Sequence, residues 1–467
     1  MPQSIRQVQP RLHFIPPAFN PWVLRLVYFV LPLALRFRLR PWLPAGIVRI
    51  EVSQVETLVD LLQQFQAGKT RFLMACRHVE VEDALCGLYL LSRPVPRAAR
   101  RQGVALNQPL HTHFVYERGM PLWAGDWMGW LLSRLGGVPI HRGRRPDWTG
   151  LRAARKLMTE GNLPLMLAPE GATNGHSEQL GPLEPGVAQL GFWGVEDLQK
   201  ASRPETVVIV PIGIQYRYVQ ADWQRLSQLL SQLERDSGLL TDVPAAKADS
   251  DRCYQRLLRL GDRLLSELEQ FYRRFYHQIL ATPELLEAAD PTVQLAARLE
   301  ILRETALHVA EDYFKIRPRG NFVDRCRRLE EVGWTHIYRE DIADVKTLST
   351  LERGLADWTA EEASLRLLHM RLVESVVAMT GHYVTAKPSF ERMAETTLIL
   401  FDVLARIRGD KLPQRPRLGD RWVQMTIGEP ISVSDRWASY QGNSRAARTA
   451  VATLTEDLRV ALEQMIQ

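Results

Sequence analysis

Three short apolar runs set the strongest limit on what this chain can fold into: residues 71–76 (RFLMAC), 163–168 (LPLMLA) and 207–214 (VVIVPIGI). Runs of this length, without polar alternation, fit strands buried on both faces of a sheet. Helical spacing lies between them. Leu151, Ala154, Leu157 and Met158 recur at helix intervals and Gly161 follows as a stop; after Pro185 and Gly186 a second helix is expected to about Lys200. Strands alternating with helices predict an α/β domain. The chain is 46% apolar and 24% charged, which argues against both disorder and a polytopic membrane protein.

The texture changes near Ala221. Residues 252–280 read as one long amphipathic helix, 292–315, 360–380 and 389–408 are also helical in pattern, and the region shows no clear strand. Residues 235–250 and 409–420 are polar, with Pro and Gly, and read as linkers. Strand character returns at 422–427 (WVQMTI), followed by Gly428-Glu429-Pro430-Ile431 and a last helix over 444–466. At the other end, the longest apolar run, Leu26 to Leu35, is too short for the roughly 20 residues a bilayer span needs. Arg25 and Arg36 bound it, Trp22 precedes it, and Arg38, Arg40 and Trp42 follow. An apolar body edged by arginine and tryptophan suits a helix lying in a membrane interface, with a packed core helix as the competing reading. Prolines 10, 16, 17 and 21 interrupt the start, and the pattern of a secretory signal is not present. The expected domains are 1–50, an N-terminal membrane-interface segment; 51–221, the first part of an α/β domain; 222–417, a helical insertion; and 418–467, a closing strand and C-terminal helix.

A formal charge of +6 fits an anionic partner such as a phosphate, a CoA-type thioester or a lipid surface. Nucleic acid fits charge alone, but basic heptad helices, zinc-finger spacing and aromatic RNA-binding motifs are all missing, so it is set aside. Cys76, Cys86, Cys253 and Cys326 lack CxxC spacing and read as reduced thiols. His111 and His113 have a His-x-His look, but no further cluster offers metal-ligand spacing, so no metal is expected. Arg93, Arg97, Arg100 and Arg101 suit acyl-carrier or lipid phosphates no better than they suit a solvated loop.

The chemistry starts at Arg77-His78-Val79-Glu80-Val81-Glu82-Asp83. Five positions on one continuous helix would turn the His78 and Asp83 side chains apart. They meet only if His78 sits on the turn after the 71–76 strand and Asp83 in the first turn of a helix. Imidazole takes a proton from a hydroxyl near neutral pH, and a carboxylate on its other nitrogen fixes the tautomer. His336 and Asp341 share the spacing, so the pair alone is a weak signal. What distinguishes His78 is the series behind it: Gly136-Gly137-Val138-Pro139-Ile140-His141-Arg142, then Ala168-Pro169-Glu170-Gly171-Ala172-Thr173-Asn174, then Val210-Pro211-Ile212.

In this order the blocks resemble the glycerolipid acyltransferase family, which includes 1-acylglycerol-3-phosphate acyltransferase. The resemblance covers about residues 70–215. It implies a substrate groove over an α/β sheet, His78 as general base for the acceptor hydroxyl, and Asp83 as the acid that orients it. By the same resemblance Arg142 holds the acceptor phosphate, Glu170 and Gly171 contribute to acceptor binding, and Pro211 shapes the acyl or acceptor site. The donor is then acyl-CoA or acyl-carrier protein, the acceptor a lysophospholipid-type hydroxyl with lysophosphatidate or glycerol 3-phosphate favoured, and no cofactor is needed. The place of work is the cytoplasmic side of a membrane, with the protein peripheral or monotopic. Two departures matter. Thr173 stands where the family's third block usually carries an arginine, with Arg144 and Arg145 as possible replacements, and Ala168 stands where an aromatic residue is usual. These leave open another lysolipid or a neutral acceptor, and beyond enzymes a lipid-binding scaffold that kept the fold. In the family a Gly-Glu-Pro-Ile strand closes the sheet soon after the Val-Pro block. Its delay here by about 210 residues is what makes 222–417 an insertion.

Overall fold

The computed structural model describes residues 7–10, 12–40, 43–141, 147–239, 249–280, 290–342, 344–376, 379, 382–410 and 414–466. They form two compact units: the described residues of 14–141, 147–221 and 419–466 make one, and those of 7–13 and 222–418 the other.

The first unit is an α/β layered structure built on a mostly parallel sheet, in the order β2-β9-β7-β3-β6-β4-β5. The strands are β2 (Ile47–Ser53), β3 (Thr70–Cys76), β4 (His113–Glu117), β5 (Gly137–Ile140), β6 (Leu165–Leu167), β7 (Thr206–Tyr218) and β9 (Arg421–Ile427), and a short β10 (Ile431–Ser432) pairs with β7. The helices are α1 (Pro21–Arg36), α2 (Val55–Gln66), α3 (Asp83–Ser92), α4 (Pro94–Arg101), α5 (Met120–Ala124), α6 (Asp126–Arg134), α7 (Trp148–Glu160), α8 (Gly186–Lys200), α16 (Trp437–Tyr440) and α17 (Ser444–Gln464). Every residue of β3 is buried, as its unbroken apolar run requires. One core, with Leu58, Phe72, Met74 and Leu90, fills one side of the sheet; another, with Leu73, Ala154, Phe192 and Leu454, fills the other.

The four strands expected from sequence are present. Three further strands, β2, β4 and β5, complete the sheet. Strand β9 is not at the border. It lies between β7, to which it is antiparallel, and the edge strand β2, to which it is parallel. Pro211, inside β7, is tolerated for a local reason. Its carbonyl accepts from Gly428 N (2.9 Å), so that side of the residue faces β9 and β10. Pairing with β10 involves Val208 and Ile209, and pairing with β9 begins at Ile212. The missing proline N–H therefore falls where one partner strand hands over to the other and breaks no ladder bond.

The second unit is helical: α9 (Trp223–Asp236), α10 (Ser250–Tyr276), α11 (Pro291–Phe314), α12 (Phe322–Ile337), α13 (Thr350–Val376), α14 (Tyr383–Ala386) and α15 (Phe390–Ile407). Its core joins Leu307, Ala310, Leu329, Ala360, Leu367 and Met370. The expectation of no strand in this region needs one correction. Gln9–Pro10 (β1) and Tyr338–Arg339 (β8) form a two-residue parallel ladder, and Val8 N donates to the Asp357 carboxylate (2.8 Å), so the described residues before Phe14 belong to this unit. Ladders this short carry no periodicity for a sequence pattern to reveal.

Candidate active site

Strands β3, β4, β5 and β6 run parallel, so their C-terminal ends share one edge of the sheet, where open α/β folds take their ligands. His78 lies two residues beyond the end of β3, and Asp83 is the first residue of α3. The turn between them brings His78 Nδ1 to 3.1 Å from Asp83 Oδ2. The same oxygen accepts from Val79 N (2.7 Å) and Glu80 N (3.1 Å), and Asp83 Oδ1 accepts from the Tyr216 hydroxyl (2.6 Å). Three protein donors thus fix the carboxylate independently of the histidine. Asp83 is 6% exposed and the His78 ring 31% exposed; among the described residues Nε2 has no protein partner. The arrangement holds Nδ1 as the donor to Asp83 and leaves Nε2 as the basic atom.

Around the pair lies a buried charged framework that sequence reasoning did not assign. Arg77 is fully buried, and its guanidinium donates to the carbonyls of His176, Ser177 and Gln179 (2.7–3.1 Å), fastening the loop after β6. That loop docks by backbone on the His78–Asp83 turn, with Asn174 N on His78 O and Gly175 N on Val79 O. Glu82, completely buried, accepts from Ala45 N (3.0 Å) and from Arg421, the first residue of β9. Burial works against the Arg421 charge, but Glu82 and Glu80 more than offset it, so it stays cationic. Arg421 also lies over the Tyr216 ring at 5.0 Å. Burial, and then the Asp83 charge, push the Tyr216 hydroxyl well above its ordinary pKa, so it remains a protonated donor to Asp83. The available signals were small: Glu80 and Glu82 sit inside the motif, and an arginine heads the apolar run 422–427.

Glu170 and Gly171 follow β6 at the same edge. Glu170 is 5% exposed, and protein donors occupy both oxygens: Oε1 accepts from His78 N (2.9 Å), Oε2 from Gly181 N (2.7 Å). Burial raises its pKa, opposed by Arg77 and these backbone donors. The geometry gives Glu170 a positioning contact on the histidine backbone. Gly171 has φ +75°, a left-handed turn that lets the chain fold back over the site. Pro211 is a neighbour of Ala75 within the sheet, where it shapes the floor beneath the loops. Arg142, with Arg144 and Arg145, lies outside the described residues. The glycines of its block are packing features: a Cβ on Gly136 would sit 2.8 Å from His113 Nδ1, and one on Gly137 2.7 Å from the Phe114 ring. His111 and His113 each bond a backbone carbonyl, of Leu135 (2.8 Å) and Gly136 (3.0 Å), as core histidines.

The sequence of the sheet unit has a counterpart among known families. Residues 49–215 match the family model described as Acyltransferase, so the sheet-forming segment that carries His78 and Asp83 is similar to that family. The match supports acyltransferase chemistry for this segment. No curated protein and no solved structure matches it.

Proposed function

We propose that the protein is a membrane-associated O-acyltransferase that moves a fatty acyl group from acyl-CoA or acyl-carrier protein to the hydroxyl of a lysophospholipid-type acceptor. Lysophosphatidate and glycerol 3-phosphate are the favoured acceptors. The observation that carries this reading is the His78–Asp83 pair, caged on the Asp83 side and open at Nε2. In the proposed step Nε2 takes the proton of the acceptor hydroxyl while the hydroxyl oxygen bonds to the thioester carbonyl carbon. The tetrahedral adduct collapses, the C–S bond breaks, and the thiolate leaves with the proton that His78 returns. Asp83 stabilises the imidazolium and keeps its orientation. No metal or cofactor enters the scheme.

The membrane part of the reading rests on α1. Pro21 opens the helix and Asn20 caps it, accepting from Trp22 N (2.9 Å) and Val23 N (3.2 Å). Leu24, Leu31 and Leu35 are buried in the unit, while Trp22, Leu26, Phe29 and Leu33 stand exposed on the other side. A helix apolar on both sides needs a second apolar phase. No helix among the described residues is long and apolar enough to cross a membrane, and an interfacial helix needs no such length. The site lies at the cytoplasmic face in this reading.

The test is thiol release from acyl-CoA by purified full-length protein with lysophosphatidate, glycerol 3-phosphate, other lysolipids and a neutral monoacyl acceptor. Turnover lost in His78→Ala supports the base. Turnover that survives it sinks the base, and a preference for the neutral acceptor moves the substrate class to the reading Thr173 favours.

A further inference from the structure

We infer that the lipid-facing surface is not α1 alone but a two-helix platform of α1 and α6, seated on anionic phospholipid at the catalytic edge of the sheet. The inference rests on the membrane reading above and extends it to α6, a helix between the catalytic motifs.

The exposed residues of α1, Trp22, Leu26, Phe29 and Leu33, recur at intervals of four, three and four, so they line one face; Phe29 is 82% exposed. Helix α6 lies alongside and runs the opposite way. Its C-terminal end meets the start of α1, where Ser133 O accepts from Ala18 N (2.9 Å) and Arg134 O from Asn20 N (2.8 Å). Its N-terminal end meets the chain beyond α1, where the Arg40 guanidinium stacks on the Trp127 ring at 4.6 Å. Between these ties α6 leaves Trp127 41% and Trp130 54% exposed, while Met128, Gly129 and Ser133 face inward. Two large indoles turned to solvent beside a helix with its own exposed apolar face make a continuous patch of a kind monomer surfaces rarely leave bare. Indole, with an apolar body and one N–H, suits the headgroup level of a bilayer.

Charge selects the occupant. Residues 1–50 contain no Asp or Glu, and Arg25, Arg36, Arg38 and Arg40 edge the α1 face. Asp126 at the start of α6 is the acid beside the tryptophans. Such a rim favours anionic headgroups over neutral ones. Topology places it near the chemistry. Strand β2 runs antiparallel to β3, so the chain leaving α1 enters β2 at the edge where β3 ends, and Ala45 on that approach is the residue bonded to Glu82. The arginine-bearing end of α1 and the Trp127 end of α6 therefore lie toward the His78 edge.

The experiment uses the full-length protein and sedimentation with vesicles of phosphatidylcholine alone or mixed with phosphatidylglycerol. Wild type is expected to bind the mixed vesicles and much less the neutral ones. The double variant Trp127→Ala/Trp130→Ala should bind about tenfold more weakly, with unchanged near-UV circular dichroism and unchanged turnover of glycerol 3-phosphate in detergent. A separate Trp130→Cys variant, carrying an environment-sensitive fluorophore, should shift to the blue on mixed vesicles; labelling is selective because Cys76, Cys86, Cys253 and Cys326 are buried. If Phe29→Asp abolishes binding while the α6 variants bind like wild type and the label stays unshifted, the platform is wrong and α1 alone is the anchor. If wild type binds no vesicle, the membrane reading fails with it. A dimer in solution that Trp130→Ala dissociates makes a second copy the occupant and overturns the proposal.

Discussion

His78 and Asp83 in the sheet unit, and His336 and Asp341 in the helical unit, have the same spacing in sequence and opposite surroundings. His336 is in the last turn of α12, and its Nδ1 is spent on the Val332 carbonyl one turn back (2.8 Å). Asp341 turns instead to Arg339, with Nε at 2.6 Å, and that guanidinium holds the carboxyl down to about 2. His78 has left its strand, Asp83 begins a helix, and three donors besides the imidazole hold the acid. The difference teaches that a His-x4-Asp spacing brings its two side chains together only across a strand-to-helix turn. Along or beyond a helix each partner finds a nearer neighbour.

The contrast breaks or sharpens through substitution. The largest effect is expected from His78→Ala, a fall in kcat of about 10³-fold measured by thiol release; a fall under tenfold would make the two histidines equivalent. Next comes Arg421→Met, which strands Glu82 in the interior. A stability loss on the order of 4 kcal/mol in urea unfolding is predicted, and a change under 1 kcal/mol would remove Arg421 from the framework.

Acid comes third, and here the two units should behave alike. Burial lowers His111 in the sheet unit and His369 in the helical unit to about 4. Each folded pKa lies below the unfolded value, so between about 4 and 6.5 the unfolded chain binds more protons, and stability falls as pH falls. Each histidine is expected to cost about 2 kcal/mol between pH 7 and pH 5. Urea midpoints of His111→Asn and His369→Asn across that range should fall less than wild type, and parallel slopes would refute the assignment. Tyr216→Phe, which removes one donor from Asp83, should cost about 1 kcal/mol of stability and lower kcat severalfold with KM unchanged. His336→Ala should leave kcat within about twofold and stability within about 0.5 kcal/mol.

Much of the sheet was legible because its central strands are buried on both faces. β3, β6 and β7 announce themselves as apolar runs and β9 by its alternating strand pattern, and the structure places them within the 70–218 and 421–427 intervals. β2, β4 and β5 were hidden for separate reasons. β2 is an edge strand with Arg49 and Glu51 turned outward, β4 opens on a histidine and ends on a glutamate, and β5 is four residues with a proline inside. The His78–Asp83 contact was legible once the strand-to-helix turn was assumed. Tyr216, Arg77, Glu82 and Arg421 were not, because a buried polar side chain in an apolar run reads as an interruption until its partner, up to 339 residues away, is known.

That distance bears on how the fold comes into being. A ribosome delivers His78, Asp83 and Glu82 first and Arg421 only after the helical unit, 339 residues beyond Glu82. Until β9 arrives, β7 has an unpaired flank over Ile212–Tyr218 and Glu82 lacks its cation. Closing a contact this remote in the chain is slow, because the intervening polymer must first be confined. A nascent chain halted before residue 421 is therefore expected to carry every residue of the His-x4-Asp motif and yet lack the clamp on its active-site turn, with an open strand exposed to neighbours. Closure of the framework around the His78–Asp83 turn is therefore expected to wait for β9, and the helical unit, lying between in sequence, sets the length of the wait.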